Sequence, residues 1–190
     1  MDLNALSDLS LPDQNGAEHR LGDLWADEPV IVVFLRHFGC HNCRDHAVQL
    51  RDRYEDLRRE GVDLVAIGTG DQRYAGAFVR DEKIPYLVLV DDDAKAAQAA
   101  SVKVASWYRL LHPSSWAASV QAWKRGARIH KAGKRVTQLG ATFVLGPGDQ
   151  VRYSHVDDDS VDHAPVPDIL AAVGVGATSF RRSSSKCRLG

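Results

Sequence analysis

The chain has 190 residues and a formal net charge of −1, with 44% hydrophobic and 26% charged residues. This length and apolar content suit a single domain with its own core, and they exclude a disordered chain. The near-neutral balance excludes a protein that coats nucleic acid with a uniformly basic surface, so no nucleic-acid partner is expected.

The cellular context is predicted from what the sequence lacks. No apolar run approaches the roughly 18 residues that a membrane-spanning helix needs. Residues 1–16 show neither the basic end nor the apolar stretch of a secretory signal. The three cysteines are too few for a disulfide-stapled secreted scaffold. We therefore expect a cytoplasmic protein.

The first half of the chain predicts strands that alternate with helices. Turn residues around Asp13 divide residues 9–24 into a short strand, a turn and a return. Residues 30–35 are apolar and mostly β-branched, as in a central strand buried on both faces. Beyond Cys40, apolar residues recur every three or four positions and predict an amphipathic helix that Gly61 ends.

The same alternation continues towards the C-terminus. The further predicted elements are a strand at 62–67, a helix at 72–80, a strand at 86–90, a helix at 91–101, a hairpin of strands 142–145 and 150–153, and a last helix at 166–173. Strands alternating with helices indicate an α/β fold with a largely parallel sheet covered on both faces. Residues 174–190 predict a flexible tail.

A basic segment at residues 103–135 interrupts this pattern. It holds eight Lys or Arg residues and no acid, so the rest of the chain is net acidic. Its three tryptophans lie partly on an apolar stripe with helical spacing, which predicts a basic helical insert. Two interpretations remain open: the insert contacts a membrane surface or an acidic, lipid-like substrate, or its tryptophans pack on the domain with solvated charges outside.

Cys40 and Cys43 form a Cys-x-x-Cys pair where a buried strand gives way to a helix. The unpaired amides and the dipole of a helix start stabilise a thiolate and lower its pKa. We expect Cys40 to be the nucleophile. Cys43, one helical turn later, is within reach for a disulfide and is the expected resolving thiol. Gly39 is expected to leave Cys40 exposed.

Charged and titratable side chains flank the pair. Arg36, His37, His41 and Arg44 are candidates for positive charge near the thiolate. His37 would hydrogen-bond the Cys40 sulfur or protonate a leaving oxygen, or else only pack. His41, when charged, would stabilise the thiolate, or else face solvent.

Two other interpretations of the cysteines stay open. Cys40, Cys43 and His46 have the spacing of zinc ligands, although no second ligand pair is evident, so no metal is expected. The cysteines could equally be two ordinary buried residues. A third thiol, Cys187, is a passive tail residue or a resolving thiol in trans.

Acidic and histidine residues elsewhere are expected to be structural. Asp-Asp-Asp runs at 91–93 and 157–159 predict solvated turns and helix caps. His155, Asp162 and His163 follow the predicted hairpin and are expected in a surface loop, with a pocket rim as the alternative.

The chain resembles the thioredoxin-fold peroxiredoxin superfamily. The matching segments are 34–44 (FLRHFGCHNCR), 138–144 (QLGATFV), 146–148 (GPG), 162–165 (DHAP) and the opening at 9–24. Within the superfamily it is similar to the alkyl hydroperoxide reductase/thiol-specific antioxidant branch that includes prostamide/prostaglandin F synthases. The resemblance implies a thioredoxin-like domain over residues 1–173 with peroxiredoxin-type elaborations, a central mixed sheet flanked by helices, and the helical basic insert.

The chain departs from the typical members at several positions. A proline and a threonine that precede the reactive cysteine in those enzymes are replaced by Val33 and His37. Gly140 stands where they place an arginine beside the cysteine, and Ala141 where thioredoxins place a cis-proline. Arg36 and His37 are the candidates to take over the polarisation of a peroxide bond.

The resemblance implies a cysteine-dependent redox enzyme that acts on a peroxide, lipid peroxide or endoperoxide. Cys40 would attack, Cys43 would close an intramolecular disulfide, and Thr142 would offer a backbone or hydroxyl contact. An external dithiol reductant, thioredoxin-like or NADPH-linked, would reset the pair without a tightly bound cofactor. The alternatives are a thiol-disulfide oxidoreductase, a specialised biosynthetic enzyme and a non-catalytic binding module. A homodimer is a further expectation.

Overall fold

The computed structural model describes residues 1–104, 138–159 and 162–175. Nearly all of the basic segment and of the predicted tail lies outside the described residues, and so do the predicted helices of that segment. Within the part that is described, no helix has both the length and the apolar character needed to cross a bilayer.

Strands and helices alternate through most of the described chain. In chain order the elements are α1 (Leu3–Ser7), β1 (Ser10–Pro12), β2 (Glu18–Arg20), a 3₁₀ helix (Leu21–Trp25), β3 (Val30–Leu35), α2 (His41–Arg51), α3 (Tyr54–Arg59), β4 (Asp63–Gly68), α4 (Gln72–Glu82), β5 (Leu87–Val90), α5 (Lys95–Ala99), β6 (Ala141–Gly146), β7 (Gln150–Val156) and α6 (Val166–Ala172). The predicted N-terminal hairpin is confirmed, since β1 and β2 pair antiparallel.

The centre of the fold is a five-stranded mixed sheet with the order β5-β4-β3-β6-β7. Strands β3, β4 and β5 run parallel, while β6 pairs antiparallel with both β3 and β7. Every residue of β3 is buried, as its apolar sequence predicts. The carboxyl end of β3 therefore opens at the middle of the sheet, where the chain turns into α2.

The two faces of β3 pack into separate cores. Ile31, Val33 and Leu35 join the cluster that contains both cysteines of the pair. Val30, Val32 and Phe34 belong to the opposite cluster, with Trp25. This alternation follows from the two-residue period of a strand, and it fixes which face of the sheet carries the thiols.

The predicted helix from Cys40 to Gly61 is two helices. The Arg53 amide donates to the Leu50 carbonyl at 3.0 Å, a bond to the third residue back that tightens the turn and ends α2. Helix α3 then starts at Tyr54, and Gly61 follows it with φ +69°, as expected for a helix end.

The predicted helix over residues 91–101 is shorter than its sequence suggests. Only Lys95–Ala99 is helical, because the buried Asp91 carboxylate accepts hydrogen bonds from the amides of Lys95 (2.8 Å) and Ala97 (3.0 Å). This confirms the helix-cap interpretation of Asp91.

A close contact between Gly68 and Phe38 holds the loop that leads to the thiol pair. A Cβ at Gly68 would lie 2.6 Å from Cε1 of the Phe38 ring. We expect Gly68→Ala to lower the free energy of unfolding by about 1–3 kcal/mol, because the buried ring must move. Urea denaturation measures this change.

Gly76 offers a matched control inside helix α4. A Cβ there meets only the Arg80 guanidinium, at 3.4 Å. Gly76→Ala should therefore raise the free energy of unfolding by about 0.5–1 kcal/mol through the higher helix propensity of alanine. Equal effects of the two substitutions would contradict the tight packing at Gly68.

Candidate dithiol active site

Cys40 is the N-cap of α2, at the predicted junction of strand and helix. Its backbone is extended, its carbonyl accepts the Arg44 amide at 2.9 Å, and its own amide donates to the His37 carbonyl at 3.0 Å. The sulfur is therefore held beside the positive end of a three-turn helix.

Both thiols are reduced and buried. Cys40 is 8% exposed and Cys43 is 1% exposed. The expectation that Gly39 leaves Cys40 exposed is wrong, because Cys40 packs into the same apolar cluster as Phe38 and Leu35. A reaction partner thus meets the edge of the Cys40 sulfur and has almost no access to Cys43.

The two thiols have opposite acidities. The Cys43 thiol hydrogen-bonds the Cys40 sulfur and, against the effect of burial, lowers the pKa of Cys40 to about 6. The Cys43 amide and the charge of Arg36 act in the same direction. The same hydrogen bond, together with complete burial, raises the pKa of Cys43 well above its ordinary value. The arrangement therefore favours a thiolate on Cys40 and a protonated thiol on Cys43.

Arg36 is fixed on the chain just after β3. Its Nε donates to the Gln138 carbonyl at 3.2 Å, and its own carbonyl accepts the Thr69 hydroxyl at 2.7 Å. Its charge lowers the pKa of both cysteines, so it acts as a permanent cation beside the thiolate. The structure thus brings Arg36 to the dithiol, as the sequence interpretation requires.

The histidines of the motif have different environments. Burial, helped by the charge of Arg36, lowers the pKa of His37 to about 4, so this side chain is neutral at pH 7. Its buried Nδ1 has no hydrogen-bond partner within the described part of the chain. His41, the first residue of α2, is exposed.

Arg44 and Thr142 make different contacts. Arg44 pairs with Glu82 at 2.7 Å and Asp81 at 3.2 Å, so its charge ties α2 to α4. Thr142 on β6 lies opposite Val33 of β3 and is buried in a narrow crevice that Cys43 also lines.

The same crevice contains a polar group that the sequence interpretation missed. Asp157, just after β7, is 1% exposed, and its Oδ2 lies 2.9 Å from Nδ1 of His163. The His163 ring stacks on His46 of α2, with centroids 5.2 Å apart and an interplanar angle of 19°. His46, the third ligand of the zinc alternative, is thus packed against another imidazole.

Two sequence expectations are therefore wrong. Asp157 is a buried group and not a solvated turn residue, although Asp158 and Asp159 are exposed. His163 is half-buried against the crevice and not part of a solvated loop. The signal that could have found them is the Asp-His-x-Pro motif at 162–165, which carries His163.

Gly140 leaves the space that the Asp157 carboxylate needs beside His163. A Cβ at Gly140 would lie 2.4 Å from Oδ2 of Asp157, and the Gly140 carbonyl accepts the Asp157 amide at 3.0 Å. A side chain at position 140 and the Asp157 carboxylate cannot occupy the same space. The absence of the arginine that the resemblance places at this position is thus coupled to the presence of Asp157.

The described residues on either side of residues 105–137 meet beside the site. Val104 forms an antiparallel bridge with Gln138, and the Leu139 amide donates to the Lys103 carbonyl at 2.9 Å. Lys103 also forms an ion pair with Asp158. Because the Gln138 carbonyl accepts a hydrogen bond from Arg36, the bridge of Val104 and Gln138 lies next to the dithiol.

Comparison with solved structures defines the fold class. The fold is similar to peroxidoxin BcpB of Mycobacterium tuberculosis (TM-score 0.64, 22% identity, covering 88% of this chain and 90% of that one). It is also similar to peroxiredoxin Q of Xanthomonas campestris (TM-score 0.67, 17% identity, covering 90% and 92%). The chain has a thioredoxin-like fold of the peroxiredoxin type, as predicted.

Comparison of sequences gives the family. A family model described as AhpC/TSA antioxidant enzyme matches residues 49–159, more than half of the chain. The chain belongs to this AhpC/TSA family. The matched residues begin after Cys40 and Cys43, so the family model does not cover the two thiols.

Those relatives align over most of the chain. Thioredoxin-like protein AAED1, chloroplastic, of Arabidopsis thaliana is 29% identical, over 89% of this chain and 71% of its own length. Peroxiredoxin-like 2C of Mus musculus is 27% identical, over 93% and 82%. Prostamide/prostaglandin F synthase of Salmo salar is 29% identical, over 93% and 90%.

The low pKa of Cys40 predicts a characteristic alkylation profile. The rate with iodoacetamide should follow the thiolate, with a midpoint near pH 6. Cys43→Ala removes the hydrogen bond that lowers this pKa most, so the midpoint should rise towards the ordinary thiol value. Cys43→Ser keeps a donor and should shift the midpoint less. Peptide mass spectrometry separates label on Cys40 from label on Cys187.

A midpoint that stays near pH 6 in Cys43→Ala would show that the hydrogen bond is not the main cause. A midpoint near the ordinary thiol value in the wild type would contradict the thiolate itself.

Proposed function

We propose that this protein reduces peroxides with the Cys40–Cys43 dithiol. The observation that carries the proposal is the position of Cys40 at the N-cap of α2 with Cys43 one turn later, where the Cys43 thiol hydrogen-bonds the Cys40 sulfur and lowers the pKa of Cys40. Membership of the AhpC/TSA antioxidant family supports a peroxide as the substrate class.

The reaction follows from these protonation states. The Cys40 thiolate attacks the peroxide, the O–O bond breaks, and Cys40 becomes a sulfenic acid while the departing oxygen takes a proton and leaves as an alcohol or water. The Cys43 thiol then displaces the sulfenic hydroxyl, which forms the intramolecular disulfide and releases water. Arg36 stabilises the thiolate between turnovers, and His37, His41 and Thr142 remain candidate contacts to the substrate.

An external dithiol closes the cycle. It is oxidised to a disulfide as the Cys40–Cys43 disulfide is reduced, and a thioredoxin-like protein or an NADPH-linked reductant fits this role without a tightly bound cofactor. Because Cys43 is 1% exposed and Cys40 is 8% exposed, we expect the reductant to attack Cys40.

Counting free thiols tests the proposal. With one equivalent of hydrogen peroxide, the reduced wild type should lose two thiols quickly. Cys43→Ser should stop at a Cys40 sulfenic acid, which dimedone traps. Cys40→Ser should react with neither hydrogen peroxide nor dimedone. Cys187→Ser is the matched control and should lose the same two thiols as the wild type.

Slow reaction of the wild type with peroxide and fast reaction with a small disulfide would favour the second candidate, a thiol-disulfide oxidoreductase. The acidic Cys40 in a Cys-x-x-Cys pair at a helix start supports that candidate. Reaction with neither reagent would contradict the redox proposal and favour a non-catalytic binding module.

A biosynthetic role uses the same chemistry. Similarity to prostamide/prostaglandin F synthase supports an endoperoxide as an alternative substrate. Reduction of the ring O–O bond by two electrons and two protons gives two hydroxyl groups. The dithiol supplies these electrons and protons as it becomes a disulfide. The cysteine variants above apply unchanged to such a substrate.

The position of the basic segment supports an acidic, lipid-like substrate. Residues 103–135 contain eight Lys or Arg residues, and Val104 and Gln138, which flank most of them in sequence, pair beside Arg36. A fatty-acid hydroperoxide should therefore show a higher kcat/KM than its methyl ester, and added salt should reduce the difference. Equal kcat/KM values at low salt would contradict the charge preference.

Contact with a membrane surface through residues 103–135, a homodimer and cytoplasmic localisation remain predictions. One relative carries the word chloroplastic in its name.

A further inference from the structure

The imidazole of His163 is built into the site by three contacts. Its Nδ1 lies 2.9 Å from the buried Asp157 carboxylate, its ring stacks on His46, and its side chain is only 16% exposed. Its Nε2 is buried and has no hydrogen-bond partner within the described residues. Since Nδ1 faces the carboxylate, Nε2 is the atom that exchanges a proton with the crevice.

One residue of the dithiol, Cys43, lines this crevice. Cys43, Thr142, Asp157 and His163 line it together. The Cys40 thiolate and His163 also interact electrostatically, since each favours the charged form of the other. His163 therefore lines the same crevice as Cys43, the second thiol of the dithiol.

The pKa of His163 is shifted in the opposite direction to the pKa values of His37 and His46. Burial alone lowers its pKa, but the hydrogen bond and the charge of Asp157, with the Cys40 thiolate, raise its pKa above the ordinary value. Burial raises the pKa of Asp157, and the hydrogen bond from His163 opposes this. His37 and His46 have a pKa of about 4 and are neutral at pH 7.

The charged and titratable groups around the His163–Asp157 pair come from the strand ends and from α2. They are Arg36 after β3, Cys40, Cys43 and His46 at α2, His155 on β7, Asp157 after it, and Asp162 next to His163. Asp157 and the Cys40 thiolate favour an imidazolium at His163, and Arg36 opposes it.

We propose that His163 is the general acid of the dithiol reaction and that Asp157 is its positioning residue. This rests on the proposed peroxide reduction. As the Cys40 sulfur bonds to one peroxide oxygen and the O–O bond breaks, Nε2 gives its proton to the departing oxygen. Neutral His163 then takes the proton of the Cys43 thiol and returns it to the hydroxide that leaves the sulfenic acid, which forms water. Solvent restores the imidazolium.

The pH dependence of sulfenic acid formation tests this role on the reduced full-length protein. With hydrogen peroxide in single turnover, the wild-type rate should rise as Cys40 ionises, near pH 6, and fall as His163 loses its proton. His163→Gln should abolish the falling limb and lower the maximal rate about a hundredfold. Asp157→Asn keeps an oxygen acceptor without the charge, so it should move the falling limb to lower pH.

A second His–Asp pair provides the matched control. His19 lies 3.7 Å from Asp13 in the β1–β2 hairpin, which packs on the opposite face of the sheet. His19→Gln should leave both limbs of the profile unchanged. Each rate is divided by the thiolate fraction from iodoacetamide alkylation, so a change in the Cys40 pKa is separated from a loss of the acid.

The leaving group gives an independent readout. Peracetic acid releases a carboxylate that needs no proton, so His163→Gln should react with it at nearly the wild-type rate per thiolate. If the wild type reduces peroxide but the falling limb of the pH profile survives in His163→Gln, the general-acid role of His163 is overturned and the proposed function stands. A wild type that does not react with any peroxide would overturn the proposed function and the acid role together.

Discussion

The hydrogen bond from the Cys43 thiol to the Cys40 sulfur is the constraint on which the site depends. It favours a charge on the Cys40 sulfur and a proton on the Cys43 sulfur, and it joins two residues within a single helical turn. Helix α2 must therefore start at the end of β3, at the centre of the sheet. A negative charge buried there needs stabilisation, which Arg36 supplies from the strand side and His163, when protonated, from beyond β7.

Much of the fold was predictable because its signals are local. The apolar run of β3, the hairpin of β6 and β7, and the helix start at Cys40 each follow from residues adjacent in sequence. The prediction that Cys40 and Cys43 take opposite roles rests on the same local signal. The break between α2 and α3 was missed because a tightened turn at Arg53 leaves the apolar spacing unchanged.

The second half of the site was not predictable, since it depends on contacts between distant segments. Asp91 and Asp157 both open a run of three aspartates, yet one caps a helix and the other is buried against an imidazole. What separates them is Gly140, which leaves the space that the Asp157 carboxylate fills. No periodicity or spacing encodes that fit, because a run of aspartates looks the same in solvent and in a core.

The bridge between Val104 and Gln138 leaves the chain between these two residues free to vary in length. Because Val104 pairs with Gln138, the strands on either side keep their places whatever length of chain connects those two residues. Changes within residues 105–137 can therefore occur without shifting the sulfur atoms. The architecture thus allows the sequence of this connection to vary while the redox centre stays constant.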